Sequence, residues 1–127
     1  MNHERLHIAR TFIDHHYDMP LTLEHISREA GFSPYHFIRL FRLAYKRTPH
    51  QYLIHQRIEK AKELLRASDL SVQEICYTVG FESLGSFSTL FHRVVGLSPS
   101  SYRKWSPKQP PPPQYIPLCY RIKRGLD

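Results

Sequence analysis

Glycine and cysteine are scarce in this chain, with five glycines and two cysteines among 127 residues. Two of the glycines are needed for turns, so few remain for a loop that cradles phosphate with backbone N–H groups. Cys76 and Cys119 are too few for a disulfide framework and too far apart for a zinc knuckle; they read as one core thiol and one tail thiol. No apolar run approaches the roughly 20 residues that cross a bilayer, and the polar, histidine-rich start lacks the apolar stretch of a secretory signal. The expected location is therefore the cytoplasm, with no membrane partner. Nine histidines raise the question of a metal. Adjacent His15 and His16 point about 100° apart on a helix, and no His-x-x-x-His has a carboxylate or thiol suitably placed, so neither metal nor cofactor is expected. No Ser/His/Asp set or paired carboxylate is present either, which argues against an enzyme.

Acidic residues are missing from two particular stretches. Residues 33–50 hold Arg39, Arg42, Lys46 and Arg47 with no acid, and residues 83–108 hold Arg93, Arg103, Lys104 and Lys108 with no acid, so each carries +4. Residues 1–32 and 51–82 are slightly acidic, at −2 and −1, and the remainder adds +2 to reach the net +7. A generic solvated surface does not sort its charge this way, and the pattern favours an anionic partner touched at two places.

What is present is a motif written twice. Gly31-Phe32, Phe37-Ile38-Arg39-Leu40-Phe41 and Thr48-Pro49-His50-Gln51-Tyr52 return as Gly80-Phe81, Phe87-Ser88-Thr89-Leu90-Phe91 and Ser98-Pro99-Ser100-Ser101-Tyr102. The offset is 49 up to the Gly-Phe pair and 50 after it. Two copies are too few for a solenoid, which needs about three repeats to bury a continuous core.

Periodicity places helices around both copies. Leu6, Ile8, Ala9, Phe12 and Ile13 predict a first helix over about residues 4–16, packed on one face. Thr22 caps a short helix to about Ala30, and Ser71 with Glu74 has the spacing of a capping box; Gly31 and Gly80 are expected to end these helices in tight turns. Ser33-Pro34 and Ser83 start the next helices, over about 34–46 and 84–95. Their stripes Phe37, Leu40, Phe41, Ala44 and Phe87, Leu90, Phe91, Val94 are expected to be core. Thr48-Pro49 opens a helix to about Ala67, a stiff spacer roughly 27 Å long at 1.5 Å per residue. Beyond Trp105, the run Pro110–Pro113 cannot continue a helix.

The expected fold is thus all-α: a first helix-turn-helix subdomain over 1–47, a central linker helix over 48–67, a second helix-turn-helix subdomain over 68–106 and a proline-rich, basic and aromatic tail over 107–127. In a helix-turn-helix the second helix lays its outer face in the major groove, where base edges carry a distinct donor and acceptor code. Arg39 suits guanine, because its guanidinium matches O6 and N7. Tyr35 suits a thymine methyl or a sugar, and His36 and Arg42 suit phosphates. The second outer face offers Ser86, Ser88 and Thr89, hydroxyls that position more than they read.

The residues Arg57-Ile58-Glu59-Lys60-Ala61, Leu64-Leu65, Ile75, Val79-Gly80-Phe81, Phe87, Phe91 and Gly96-Leu97-Ser98-Pro99-Ser100-Ser101-Tyr102-Arg103 resemble the AraC/XylS family of bacterial transcription regulators, in its DNA-binding domain, over about residues 4–106. The resemblance implies about seven helices in two subdomains joined by a long central helix, with both recognition helices in successive major grooves. It implies base contacts by Tyr35, Ile38, Arg39, Ser86, Ser88 and Thr89, with Gly85 beside them. Phosphate contacts are expected at Ser33, His36, Arg42, Lys46, Arg47, Gly85, Arg93, Arg103 and Lys104. At Gly85, Ser86, Ser88 and Thr89 the sequence departs from members that carry glutamine or arginine at those positions, which places direct readout mainly in the first unit. The chain resembles the short stand-alone members of the family, so a monomer on duplex DNA that touches RNA polymerase and activates transcription is expected. The alternatives are a weakly specific architectural DNA-bending protein and the DNA-binding fragment of a larger effector-responsive regulator.

Overall fold

The computed structural model describes residues 2–106. The predicted proline-rich tail lies outside the described residues. Within them the order is α1 (Asn2–His16), α2 (Leu23–Ala30), α3 (Pro34–Tyr45), α4 (Pro49–Ala67), α5 (Val72–Thr78), α6 (Leu84–Val95) and α7 (Pro99–Trp105). Among the described residues every regular element is a helix, as the all-α expectation required.

Local chemistry sets the helix ends. The Thr22 hydroxyl accepts from the His25 N–H at 3.1 Å, and Ser71 with Glu74 closes the predicted capping box, at 3.0 Å in each direction. A second box opens α4, where Thr48 and Gln51 exchange the same pair of bonds at 2.9 and 3.1 Å. Each satisfies backbone donors that a helix start otherwise leaves bare. Gly31 ends α2 in the left-handed region, at φ 79°. The matching helix α5 stops earlier than expected: Val79 is its cap, at φ −88°, and Gly80 follows in the turn at φ 106°. The turn still needs glycine, because a Cβ is strained at that φ.

The chain packs as two compact units that divide within α4, one up to Gln56 and one from Arg57. In the first, α1 packs on α2 and α3 through Leu6, Ala9, Ile13, Ile26, Ala30, Phe37 and Phe41, all buried. Phe32, Phe37, Phe41 and Tyr52 form a ring ladder with successive centroids 6.1, 5.5 and 5.8 Å apart. In the second, Phe81, Phe87, Phe91 and Tyr102 repeat it at 5.1, 5.7 and 5.6 Å. Such pairs add about 0.5–1.5 kcal/mol each beyond their burial.

The duplication extends beyond the two motifs. Leu6, Ala9 and Ile13 of α1 have buried counterparts in Ile58, Ala61 and Leu65 of α4, each 52 positions on. Arg5 lies over the Phe32 ring at 5.9 Å, and Arg57 over the Phe81 ring at 5.6 Å. The second half of α4 is therefore the leading helix of the second unit and not a spacer alone. Three core assignments also change. Ile8 is 51% exposed, Ala44 is exposed and Val94 is 50% exposed, while Leu40 and Leu90 are half-buried. A helix resting one face on a small core buries a narrower stripe than the full i, i+3, i+4, i+7 pattern.

Candidate nucleic-acid interface

In each unit a short helix, a glycine turn and a 12-residue helix leave the outer face of the last helix uncovered. Pro34 sits at the first position of α3, and the Ser33 cap makes no side-chain bond to the helix, so its hydroxyl points to no backbone donor. Tyr35 is 81% exposed, Arg39, Arg42 and Lys46 are exposed and Ile38 is half-buried; with Leu43 they line one open depression. Lys46 closes α3 in the left-handed region, at φ 64°, and Arg47 follows it, exposed. The His36 ring is exposed and stands 5.8 Å from that of Phe32. The first unit thus gathers Tyr35, Ile38, Arg39, Arg42 and Lys46 on one surface.

The outer face of α6 carries shorter side chains. The Ser83 hydroxyl accepts from the Ser86 N–H at 3.0 Å. Gly85, Ser86, Thr89, His92 and Arg93 are exposed and Ser88 is half-buried, the same burial as its counterpart Ile38. Nothing lies within 4 Å of where a Gly85 Cβ would stand. Lys104 is exposed on α7. None of Arg39, Arg42, Lys46, Arg47, Arg93 and Lys104 joins an ion pair among the described residues.

Arg103, expected at a phosphate, makes three hydrogen bonds within the fold. Its Nε donates to the Leu65 carbonyl at 3.1 Å, and its Nη2 to the Ser68 and Leu70 carbonyls at 3.3 and 2.6 Å. These oxygens belong to the end of α4 and the turn after it, where a helix leaves carbonyls without partners and the dipole favours a cation. The guanidinium is tied into the fold.

Leu43, 65% exposed beside Arg39 and Arg42, was absent from the predicted surface. Hydrophobicity assigned it no outward role, and the stripe counted Ala44 inward instead. Trp105, 71% exposed at the end of α7, was likewise not anticipated.

Two units with the same helix, turn and helix, each showing an acid-free outer face, invite comparison with known proteins. A family described as a helix-turn-helix domain matches residues 26–104. The MmsAB operon regulatory protein of Pseudomonas aeruginosa is 38% identical over 93 residues, which are 73% of this chain and 30% of that protein. The regulatory protein SoxS of Salmonella typhimurium is 30% identical over 92 residues, 72% of this chain and 86% of that protein. The chain belongs to the AraC/XylS family. Among solved structures, the DNA-binding domain of AdpA, a global transcriptional factor, in complex with a target DNA is 30% identical, with a TM-score of 0.75 and coverage of 96% of this chain and 97% of that one. This AraC/XylS-family chain spans about a third of the length of the first curated relatives it matches, 30%, 31% and 41%.

Proposed function

We propose that the chain is a sequence-specific, double-stranded-DNA-binding regulator of transcription, with α3 and α6 entering successive major grooves. The observation that carries this reading is the outer face of α3, where exposed Arg39, free of any ion pair among the described residues, stands among Tyr35, Ile38, Arg42 and Lys46 with no acid on the helix. An unpaired guanidinium on a groove-sized helix suits bidentate hydrogen bonding to guanine O6 and N7. Similarity to a DNA-binding domain solved with its target DNA supports duplex DNA as the ligand.

In this reading Tyr35, Ile38 and Arg39 touch bases, and Ser86, Ser88 and Thr89 touch bases by their hydroxyls. Ser33, His36, Arg42, Lys46, Arg47, Arg93, Lys104 and the backbone at Gly85 hold phosphates. Arg103 leaves the contact set, because its guanidinium is committed to α4. The protein acts in the cytoplasm as a monomer on an asymmetric site and activates through a surface offered to RNA polymerase.

Selection from a random duplex library of about 30 base pairs tests the reading, and an asymmetric motif with two parts about 10 base pairs apart is the expected outcome. Retention without any shared motif would sink it. The hydroxyl-rich face of α6 favours a second reading, a weakly specific DNA-bending protein. Arg39→Ala separates the two: specific reading predicts loss of about 1–3 kcal/mol of discrimination at one base pair, whereas an architectural role predicts a uniform, modest loss on every sequence.

A further inference from the structure

The chemistry of Ile38 deepens the reading just given and rests on it. Of the three α3 residues read as touching bases, Tyr35 and Arg39 can hydrogen-bond; Ile38 has neither donor nor acceptor. Its neighbour Phe37 and, three positions on, Phe41 are fully buried, whereas Ile38 is half-buried. It lines the open depression with Tyr35, Arg39 and Arg42. Ile38 also lines a second pocket, with Leu21, Leu23, Ile26, Leu53, Thr48 and His50. A β-branched side chain in a helix has essentially one χ1 available, so the hydrocarbon it shows outward keeps one direction.

A fixed apolar surface in a major groove has a particular complement. The edges of the bases present donors and acceptors, and the apolar group among them is the C5-methyl of thymine. Ile38 and Arg39 line the same depression on α3, so their targets lie close together in the groove. We propose that Ile38 reads a thymine C5-methyl group, so that the α3 half-site joins a guanine held by Arg39 to a neighbouring thymine whose methyl packs on Ile38. In the second repeat the same position is Ser88, equally half-buried but ending in a hydroxyl. At this position of the repeat, methyl reading belongs to the first unit alone.

The test isolates the methyl. Each thymine of the selected motif is replaced in turn by deoxyuridine, and binding of the intact chain is measured by fluorescence anisotropy. One position should lose about three- to fivefold in affinity, the effect of leaving one methyl unburied. At that position a 5-methylcytosine·guanine pair should bind more tightly than an unmethylated cytosine·guanine pair. In Ile38→Ala, and in Ile38→Gln as a second variant, the thymine-to-deoxyuridine ratio should fall to one. Loss of packing alone would weaken both duplexes equally and leave the ratio unchanged. Circular dichroism checks folding of each variant, and the wild-type comparison needs no variant at all. A motif without thymine in either half, or one in which every deoxyuridine is neutral, overturns the inference and leaves the DNA reading standing. Discrimination that persists in the folded variants assigns the methyl to another side chain and overturns it too. Failure to select any motif overturns the sequence-specific reading itself.

Discussion

Arg39 and Arg103 carry the same guanidinium to opposite ends, and their surroundings decide which. Arg39 stands exposed with no acid near it on α3, whereas Arg103 is half-buried and spends its donors on three carbonyls around the end of α4. Hydrogen bonds from a charged donor contribute about 1.5–3 kcal/mol, so Arg103→Ala should lower unfolding stability by about that amount in denaturant melts. Its DNA affinity, measured well below the melting transition, should stay near wild type; a loss matching that of Arg42→Ala would return Arg103 to the phosphate contacts. A tyrosine in each repeat shows a similar divergence. Tyr52 donates to Asp14 at 2.6 Å, beside a Gln56 bond to the same oxygen at 2.7 Å, whereas Tyr102 accepts from Arg66 at 2.6 Å. Burial first, and then the bond to the Asp14 carboxylate, push the Tyr52 phenol well above its ordinary value of 10.0. A folded-state pKa above the unfolded one means stability that is complete below the unfolded value and is lost as pH rises past it. Stability should therefore fall above about pH 10, and Tyr52→Phe, less stable at neutral pH, should fall less steeply there in melts across pH.

The helices α3 and α6 share a length and a core face, but their outer faces differ in kind. Phe37 with Phe41 and Phe87 with Phe91 were legible from the sequence because burial follows the helical period and aromatic bulk. So were the caps Thr22, Ser71 and Ser83, because a cap is decided by residues at most three apart. The edges of the stripe were not. Ala44 and Val94 satisfy the period yet face solvent, and Leu43 is more exposed than Ile38 although both are aliphatic; how far a core reaches around a helix depends on the neighbour's shape. Gly85 matters most at this scale. Its backbone is helical and nothing crowds the place of a Cβ, so the fold gains nothing from glycine there. Gly85→Ala should leave stability unchanged or raise it by up to about 1 kcal/mol. If the DNA backbone approaches α6 closely at this point, the same variant should bind DNA more weakly. A variant that melts higher and binds as well as wild type would show that the close approach is absent.

For the molecule as a whole the decisive quantity is the placing of charge. Slightly acidic stretches alternate with two acid-free basic ones, one in each repeat, and the described cations of those stretches lie exposed except for Arg103. Cations that neutralise phosphates release counterions, so log affinity should fall linearly with log salt. Arg42→Ala or Arg93→Ala should reduce that slope by about one and weaken all sequences alike. A slope unchanged in both would place the phosphates elsewhere. The repeat, the helix types, the caps and the sorting of charge were determined by the sequence itself, since each is a local or periodic property that neighbouring residues decide among themselves. The tertiary structure alone decided that Arg103 closes α4 and that Tyr52 donates where Tyr102 accepts. Each of these depends on groups dozens of positions apart meeting at bonding distance, and no pattern along the chain records which of them will meet.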